Sequence, residues 1–195
     1  MVVVKIGGSL QSTKYINRWI KEIRLNRDIS FLLIFGGGKY VQKIRNDQKL
    51  KRYSDYEAHK LAIQGMKKYT LDNLQELKDF TVISSVKCIN TIYRNRKLLV
   101  WMPSYEDVDI LNIPLNWNAT SDSIALAIAN TTSSPLLVIK SVRLNCKKFI
   151  NSFFLKQDLV DKHFSKNYLY NNKKISIACR EKFYKLREIC SYLYN

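Results

Sequence analysis

The sequence predicts an α/β fold, a three-layer sandwich whose central sheet is mainly parallel and flanked by helices. Three observations carry this. Short apolar runs alternate with segments of helical period along the chain, as in β–α–β units. The runs are apolar on both parities, as strands buried on both faces are. Two of them end in glycine turns that lead straight into helical segments.

The first strand is Val2-Val3-Val4-Lys5-Ile6, followed by Gly7-Gly8-Ser9. Ile16, Trp19, Ile20 and Ile23 then recur at helical spacing. Ser30 to Phe35 reads as a second buried strand that ends in Gly36-Gly37-Gly38. A short helix through Val41 and Ile44 follows, and the polar, basic stretch Asn46 to Tyr53 reads as a loop. Ala58, Leu61, Ala62, Gly65, Met66 and Tyr69 mark one face of a longer helix, which Leu71 to Leu77 continue. Thr81-Val82-Ile83 and Lys97 to Met102 read as strands three and four, and Pro103 to Pro114 as a loop or short irregular segment. Thr120 to Ala129 is a helix of small residues, capped by Thr or Ser, with Asp122 in its first turn. Leu136 to Lys140 is a further buried strand, and Ile175 to Ala178 a short last one. Asn145 to Asn172 shows no clear pattern, and Phe183, Leu186, Cys190 and Leu193 mark a C-terminal helix. No repeat, linker or boundary interrupts the chain, so one domain over residues 1–195 is expected.

With 46% apolar and 25% charged residues, the composition excludes a disordered chain. No apolar run is long enough to span a membrane, and a core strand at the N-terminus leaves no room for a targeting segment. Cys88, Cys146, Cys179 and Cys190 are widely spaced and form no Cys-x-x-Cys pair, so free thiols in a reducing cytoplasm are expected. The net charge of +17 comes from 33 Lys and Arg against 16 Asp and Glu. Such a charge suits a nucleic-acid partner. The basic residues are dispersed, however, and Lys, Asn, Ile and Tyr are abundant throughout. That pattern favours compositional drift over a nucleic-acid partner, because patches rather than totals mark binding faces.

The chemistry sits in the turns. A strand, a glycine turn and a helix N-terminus together form an anion site, because glycine admits a phosphate close to free N–H groups at the positive end of the dipole. Lys5 adds a full charge at that point. Each part has a plain structural reading too, since glycine relieves crowding in tight turns and a strand-end lysine can snorkel to solvent. As a strand-end side chain, Lys5 is expected outside the core, so that its removal would leave the fold intact. Two glycine turns, Lys5 and a helix-start Asp122 could clamp two anionic groups end to end, as phosphoryl transfer requires.

The sequence here resembles the amino acid kinase family, which includes acetylglutamate, aspartate and uridylate kinases. The resemblance rests on Lys5-Ile6-Gly7-Gly8-Ser9, on Phe35-Gly36-Gly37-Gly38 and on Asn118-Ala119-Thr120-Ser121-Asp122-Ser123-Ile124-Ala125. A small subgroup is more similar still, through Ser54-Asp55-Tyr56-Glu57-Ala58-His59 with Ala62 and Met66, through Pro114 and Trp117, and through Leu137-Val138-Ile139-Lys140-Ser141-Val142. Leu159-Val160-Asp161 followed by Phe164 fits as well. The subgroup comprises the short kinases of methanofuran biosynthesis, which use ATP to phosphorylate aminomethyl-furanylmethyl phosphate.

The resemblance implies a role for each matching residue. Lys5 would neutralise charge on the transferring phosphoryl, and Asp122 would orient the catalytic lysines. Gly7, Gly8, Ser9, Thr120, Ser121 and Lys140 would hold ATP phosphates. Gly36, Gly37, Gly38, Asp55, His59 and Asn118 would face the acceptor. Asp55 could instead cap its helix, His59 could be a packed neutral side chain, and Trp117 is expected to pack rather than stack on substrate. His163 is expected at the surface. The acceptor half would span about 1–115 and the nucleotide half about 116–195, with the adenine pocket supplied by Val142 to Ile175. No carboxylate cluster proposes a protein-bound metal, so Mg²⁺ would ride on ATP and water. Asn118 stands where the subgroup has an acid, and Arg143-Leu144 where it has Asp-Gly. The function implied is an ATP-dependent small-molecule kinase acting on a phosphorylated or carboxylated acceptor, and a homo-oligomer is expected. The alternatives are another kinase of the family, for nucleoside monophosphates or acyl phosphates, and a non-catalytic nucleotide-binding paralogue.

Overall fold

The computed structural model describes residues 1–142, 159–168 and 174–194. Its centre is a six-stranded sheet in the order β3-β4-β2-β1-β5-β6, formed by β1 (Val2–Ile6), β2 (Phe31–Phe35), β3 (Thr81–Ile83), β4 (Leu98–Trp101), β5 (Leu136–Lys140) and β6 (Ile175–Cys179). Every neighbouring pair is parallel. The continuous apolar runs are explained by cover on both faces: β1 and β2 are buried at every position.

Alternation along the strands sorts the core into two. Val2, Val4 and Ile6 face one helical layer, which includes α1 (Lys14–Leu25) and α8 (Leu186–Tyr194). Ile16, Trp19, Ile20 and Ile23 all turn inward from α1, as their spacing predicts. Val3, Leu32, Ile34, Leu136 and Val138 face the other layer, with α3 (Asp55–Asp72) and α6 (Ser121–Thr131). Period two therefore puts Lys5 and Lys140 on the α6 side of the sheet. β1 connects to β2 on one side, and β5, which follows β4, is added on its other side, so the strand order reverses at β1. A crevice opens at the carboxyl ends of the strands at such a reversal.

Three expectations need correction. The stretch Asn46 to Tyr53 is not a loop, because α2 runs from Gly38 to Lys51. None of its residues is buried, and its second half, Arg45 to Lys51, is polar or charged apart from the exposed Leu50 and rich in the helix formers Lys, Gln and Arg. Lys49 and Lys51 lie in its last turn, where cations favour the dipole, and Arg52 ends it in the left-handed conformation (φ 54°). The helix α3 stops at Asp72, and Leu74–Leu77 form a separate 3₁₀ turn. Pro103 to Pro114 is not wholly irregular, since Tyr105–Asp109 form α5, capped by the Ser104 hydroxyl, which accepts from the Asp107 N–H.

The short helix α4 (Ile89–Ile92) is too short to show a helical period, and α7 (Lys162–Tyr168) lies in the stretch without a clear pattern. Cys88, Cys179 and Cys190 are free thiols. Cys146, Arg143, Leu144 and most of the stretch proposed for adenine lie outside the described residues. Among the described residues no helix is long and apolar enough to cross a membrane.

Candidate active site

A cavity of about 550 Å³ opens above the carboxyl ends of β1 and β5, between α2, α3 and α6. Its floor is an ion cluster. Lys5 Nζ stands 2.6 Å from Asp122 Oδ1, and Lys140 Nζ stands 2.5 Å from Asp122 Oδ2. In the sheet Lys5 pairs with Val138, which places Lys140 two residues further out on the neighbouring strand. Asp122 reaches both cations from the first turn of α6, across the face that Lys5 and Lys140 share. Lys5 is not the strand-end side chain outside the core that the sequence suggested: it is 3% exposed. Two ammonium groups at this spacing repel, and one buried carboxylate fixes both.

The electrostatics follow from that crowding. Burial pushes the Asp122 carboxyl upward, but Lys5 and Lys140 override it and hold it at about 2. Burial, and then the charge of Lys5, draw the Lys140 ammonium down to about 8 against the pull of Asp122.

Above this cluster the two glycine turns touch. A Cβ on Gly8 would lie 2.4 Å from the Gly38 backbone nitrogen, and one on Gly36 would lie 2.7 Å from the Gly8 nitrogen. Gly38 also adopts φ +53°, which side chains resist. Gly8 and Ser9 open a 3₁₀ turn, and Gly38 opens α2. Backbone N–H groups in a first turn have no intrahelical acceptor and can bind an anion, although that of Lys39 already donates to Gln11 Oε1 at 2.7 Å. Gly8→Ala should therefore drive the turns apart. It is expected to cost about 1–3 kcal/mol by overpacking and to weaken nucleotide binding, read by a thermal melt and by calorimetry with ATP.

All the proposed site residues line the cavity except Gly7, Gly36 and Asn118. The Gly7 and Gly36 N–H groups continue the sheet, donating to the Ile139 and Ile6 carbonyls at 2.9 Å. The side chain of Asn118 is exposed, and it is Asn116 that lines the cavity. Thr120 reaches the wall, but its N–H and hydroxyl both donate to Asp161 at 2.8 Å.

The far wall settles how α3 is capped. Ser54, not Asp55, caps α3, through a capping box with Glu57. Asp55 instead accepts from Gln48 Nε2 at 2.9 Å and lines the cavity. His59 is buried there, burial lowers its pKa, and its Nε2 has no hydrogen-bond partner among the described residues. A neutral imidazole with an unused nitrogen thus lines the far wall of the cavity. His163 is half-buried, hydrogen-bonds Asn167 and stands away from the cavity.

Sequence reasoning missed Arg45. Its guanidinium lies 4.5 Å from the centroid of the Trp117 ring, and both side chains line the cavity. Trp117 donates its indole N–H to Gln48 Oε1, so the ring is fixed by the residue that also holds Asp55. The signal was a seven-residue step from Gly38, which puts Arg45 on the cavity face of α2 once α2 is known to be long.

Similar proteins fit this architecture. No family model matches the chain. A [5-(aminomethyl)furan-3-yl]methyl phosphate kinase of Methanocaldococcus jannaschii is 28% identical over 135 residues, which cover 66% of this chain and 59% of the relative. A uridylate kinase from Archaeoglobus fulgidus superposes with a TM-score of 0.73 at 12% identity, covering 96% of this chain and 95% of that one. A UMP kinase from Bacillus anthracis gives 0.73 at 14% identity, covering 98% and 91%. Together with the all-parallel sheet, these likenesses show that the chain has the fold of the amino acid kinase family.

Proposed function

We propose that this cavity transfers the γ-phosphoryl of ATP to a small anionic acceptor. The observation that carries the reading is the buried Lys5–Asp122–Lys140 cluster lying directly beneath two touching glycine turns. An acceptor oxygen attacks the γ-phosphorus, the bond to the β–γ bridging oxygen breaks, and ADP leaves with that electron pair. Charge accumulates on the equatorial oxygens and on the bridging oxygen. Lys5 and Lys140 neutralise it from fixed positions, so the cluster does not reorganise as the transfer proceeds. Asp122 holds them there and does not itself act as a base: both its oxygens face lysines and its carboxyl stays ionised.

The same geometry argues against Asp122 as a metal ligand. Among the described residues no three His, Cys, Asp or Glu side chains converge on a metal position. In this reading Mg²⁺, when bound, supplies charge neutralisation to the ATP phosphates as their counter-ion, held by phosphate and water.

The acceptor proposed is aminomethyl-furanylmethyl phosphate. The Methanocaldococcus relative and the subgroup motifs support it. Trp117, Ala62 and Met66 offer apolar surface for a ring, and Asp55 offers a carboxylate for an ammonium group. Arg45 would take the acceptor's anionic group. Residues up to about 115 then supply most of the acceptor side, and those from about 116 much of the nucleotide side. Arg45→Met is expected to raise the acceptor KM roughly 10- to 100-fold, the worth of one charged hydrogen bond. The KM for ATP should stay within about twofold.

The test is ADP formation with Mg·ATP across aminomethyl-furanylmethyl phosphate, UMP and acetylglutamate. Turnover with the first supports the full proposal, and turnover with either of the others reassigns the acceptor. ATP binding by calorimetry without turnover on any of them would overturn the enzyme reading in favour of a nucleotide-binding paralogue.

A further inference from the structure

One carboxylate outside the ion cluster collects five donors. Asp161 Oδ2 accepts the Thr120 N–H at 2.8 Å, the Thr120 hydroxyl at 2.8 Å and the Ser123 N–H at 3.1 Å. Its Oδ1 accepts the Ser123 hydroxyl, and also the Phe164 N–H at 2.8 Å. A sixth bond runs alongside, from the His163 N–H to the Asn118 carbonyl at 2.9 Å. The start of α7 is thereby stitched to the start of α6. Asp122 is, with Ser121, one of the two residues between those that Asp161 grips, and its own N–H points to the Thr120 hydroxyl at 3.5 Å.

This arrangement goes beyond an ordinary helix cap. Thr120 already caps α6 from within the chain. Asp161 comes from 41 residues further on and holds both the cap and the third helical residue, Ser123. Its negative charge also satisfies the N-terminal end of the α6 dipole. Asp161 thus occupies the N–H and hydroxyl of Thr120 and of Ser123, while Ser121 between them still lines the cavity beside the glycine turns. Ser123 is 1% exposed, so its hydroxyl has little freedom to find another acceptor.

We propose that Asp161 is a positioning residue for the ion cluster: by clamping Thr120 and Ser123 on either side of Asp122, it sets where the Asp122 carboxylate meets Lys5 and Lys140. The effect on turnover rests on the phosphoryl-transfer reading; the effect on the cluster itself does not. A 1 Å displacement of a catalytic group can cost about 100-fold in rate. The charge of Asp161 is felt as well. Among the described residues, Lys5 from β1, Asp122 from α6 and Asp161 ahead of α7 are the charges that act on Lys140, and Asp161 supports its protonated form.

Asp161→Asn keeps the shape and removes the charge. Lysine labelled with ¹³C at Cε reports the titration of Lys140 by NMR, with no need for turnover. The midpoint is expected to fall by roughly half a pH unit below the wild-type value, the size of one opposite charge beyond direct contact. In the kinase assay, kcat is expected to fall about 10- to 100-fold, with both KM values within about twofold. A folded Asp161→Asn protein with an unmoved Lys140 midpoint overturns the proposal, even if its melting temperature falls, because a purely structural cap would do only that. Should Asp161→Asn fail to fold, Thr120→Val removes one donor and no charge. A several-fold lower kcat at unchanged KM then supports the proposal, and an unchanged kcat overturns it. Absence of turnover in the wild type would strike the kinase reading and leave the NMR result standing.

Discussion

Lys5→Met lowers kcat by at least about 100- to 1000-fold, the loss expected when one preorganised charge is removed from a transition state. The methionine keeps most of the volume of the lysine stem, so packing against the sheet survives. The fold does not come through unharmed. Lys5 is 3% exposed and shares Asp122 with Lys140. Removing one partner of a buried ion cluster costs about 3 kcal/mol or more. Activity must therefore be read per folded molecule, with urea titration alongside. Loss of stability with undiminished turnover per folded molecule would make Lys5 a purely structural side chain.

Asp122→Asn removes the carboxylate that bridges the two cluster lysines. Its expected cost in kcat is also about 100- to 1000-fold, with smaller effects on the KM for ATP. Lys140 loses its closest attraction, while burial and the charge of Lys5 still press its pKa down from about 8, so the alkaline limb of kcat moves to lower pH. Stability changes with acid too. In the wild type the Asp122 carboxyl is held near 2, below its ordinary 3.8. The ionised form thus contributes about 2 kcal/mol that is present above pH 4 and is lost as pH falls through 2. Asp122→Asn lacks that contribution, so its acid unfolding should be flatter over the same window. An Asn variant with normal kcat and altered stability alone would restore the plain reading of Asp122 as a helix-start residue.

Much of this site was legible in the chain because its parts are local. Lys5 with Gly8, and Asp122 behind Thr120, are carried by short motifs whose geometry is set within a few residues. All six strands were legible as short runs rich in apolar residues, two of them closed by glycine turns. What escaped the sequence is what depends on distant contacts. The second half of α2 looked like a loop because polarity was read as exposure of a coil, whereas it is the exposure of a helix packed on one side against α3. With it went Arg45, which reaches the cavity only if α2 continues. Lys5 was placed outside the core because nothing local reveals a buried partner 117 residues away, as Asp122 is. Asp161 was noticed only as part of a motif. Its grip on Thr120 and Ser123 depends on α7 returning to α6.

The most direct test is ³¹P NMR of the folded protein with Mg·ATP and each of the three acceptors. Phosphoryl transfer in this cavity predicts that the γ resonance of ATP decays while ADP and a phosphorylated acceptor grow in equal amounts, and that Lys5→Met abolishes both. An unchanged ATP spectrum with every acceptor, or γ-phosphate released only as inorganic phosphate, would contradict it.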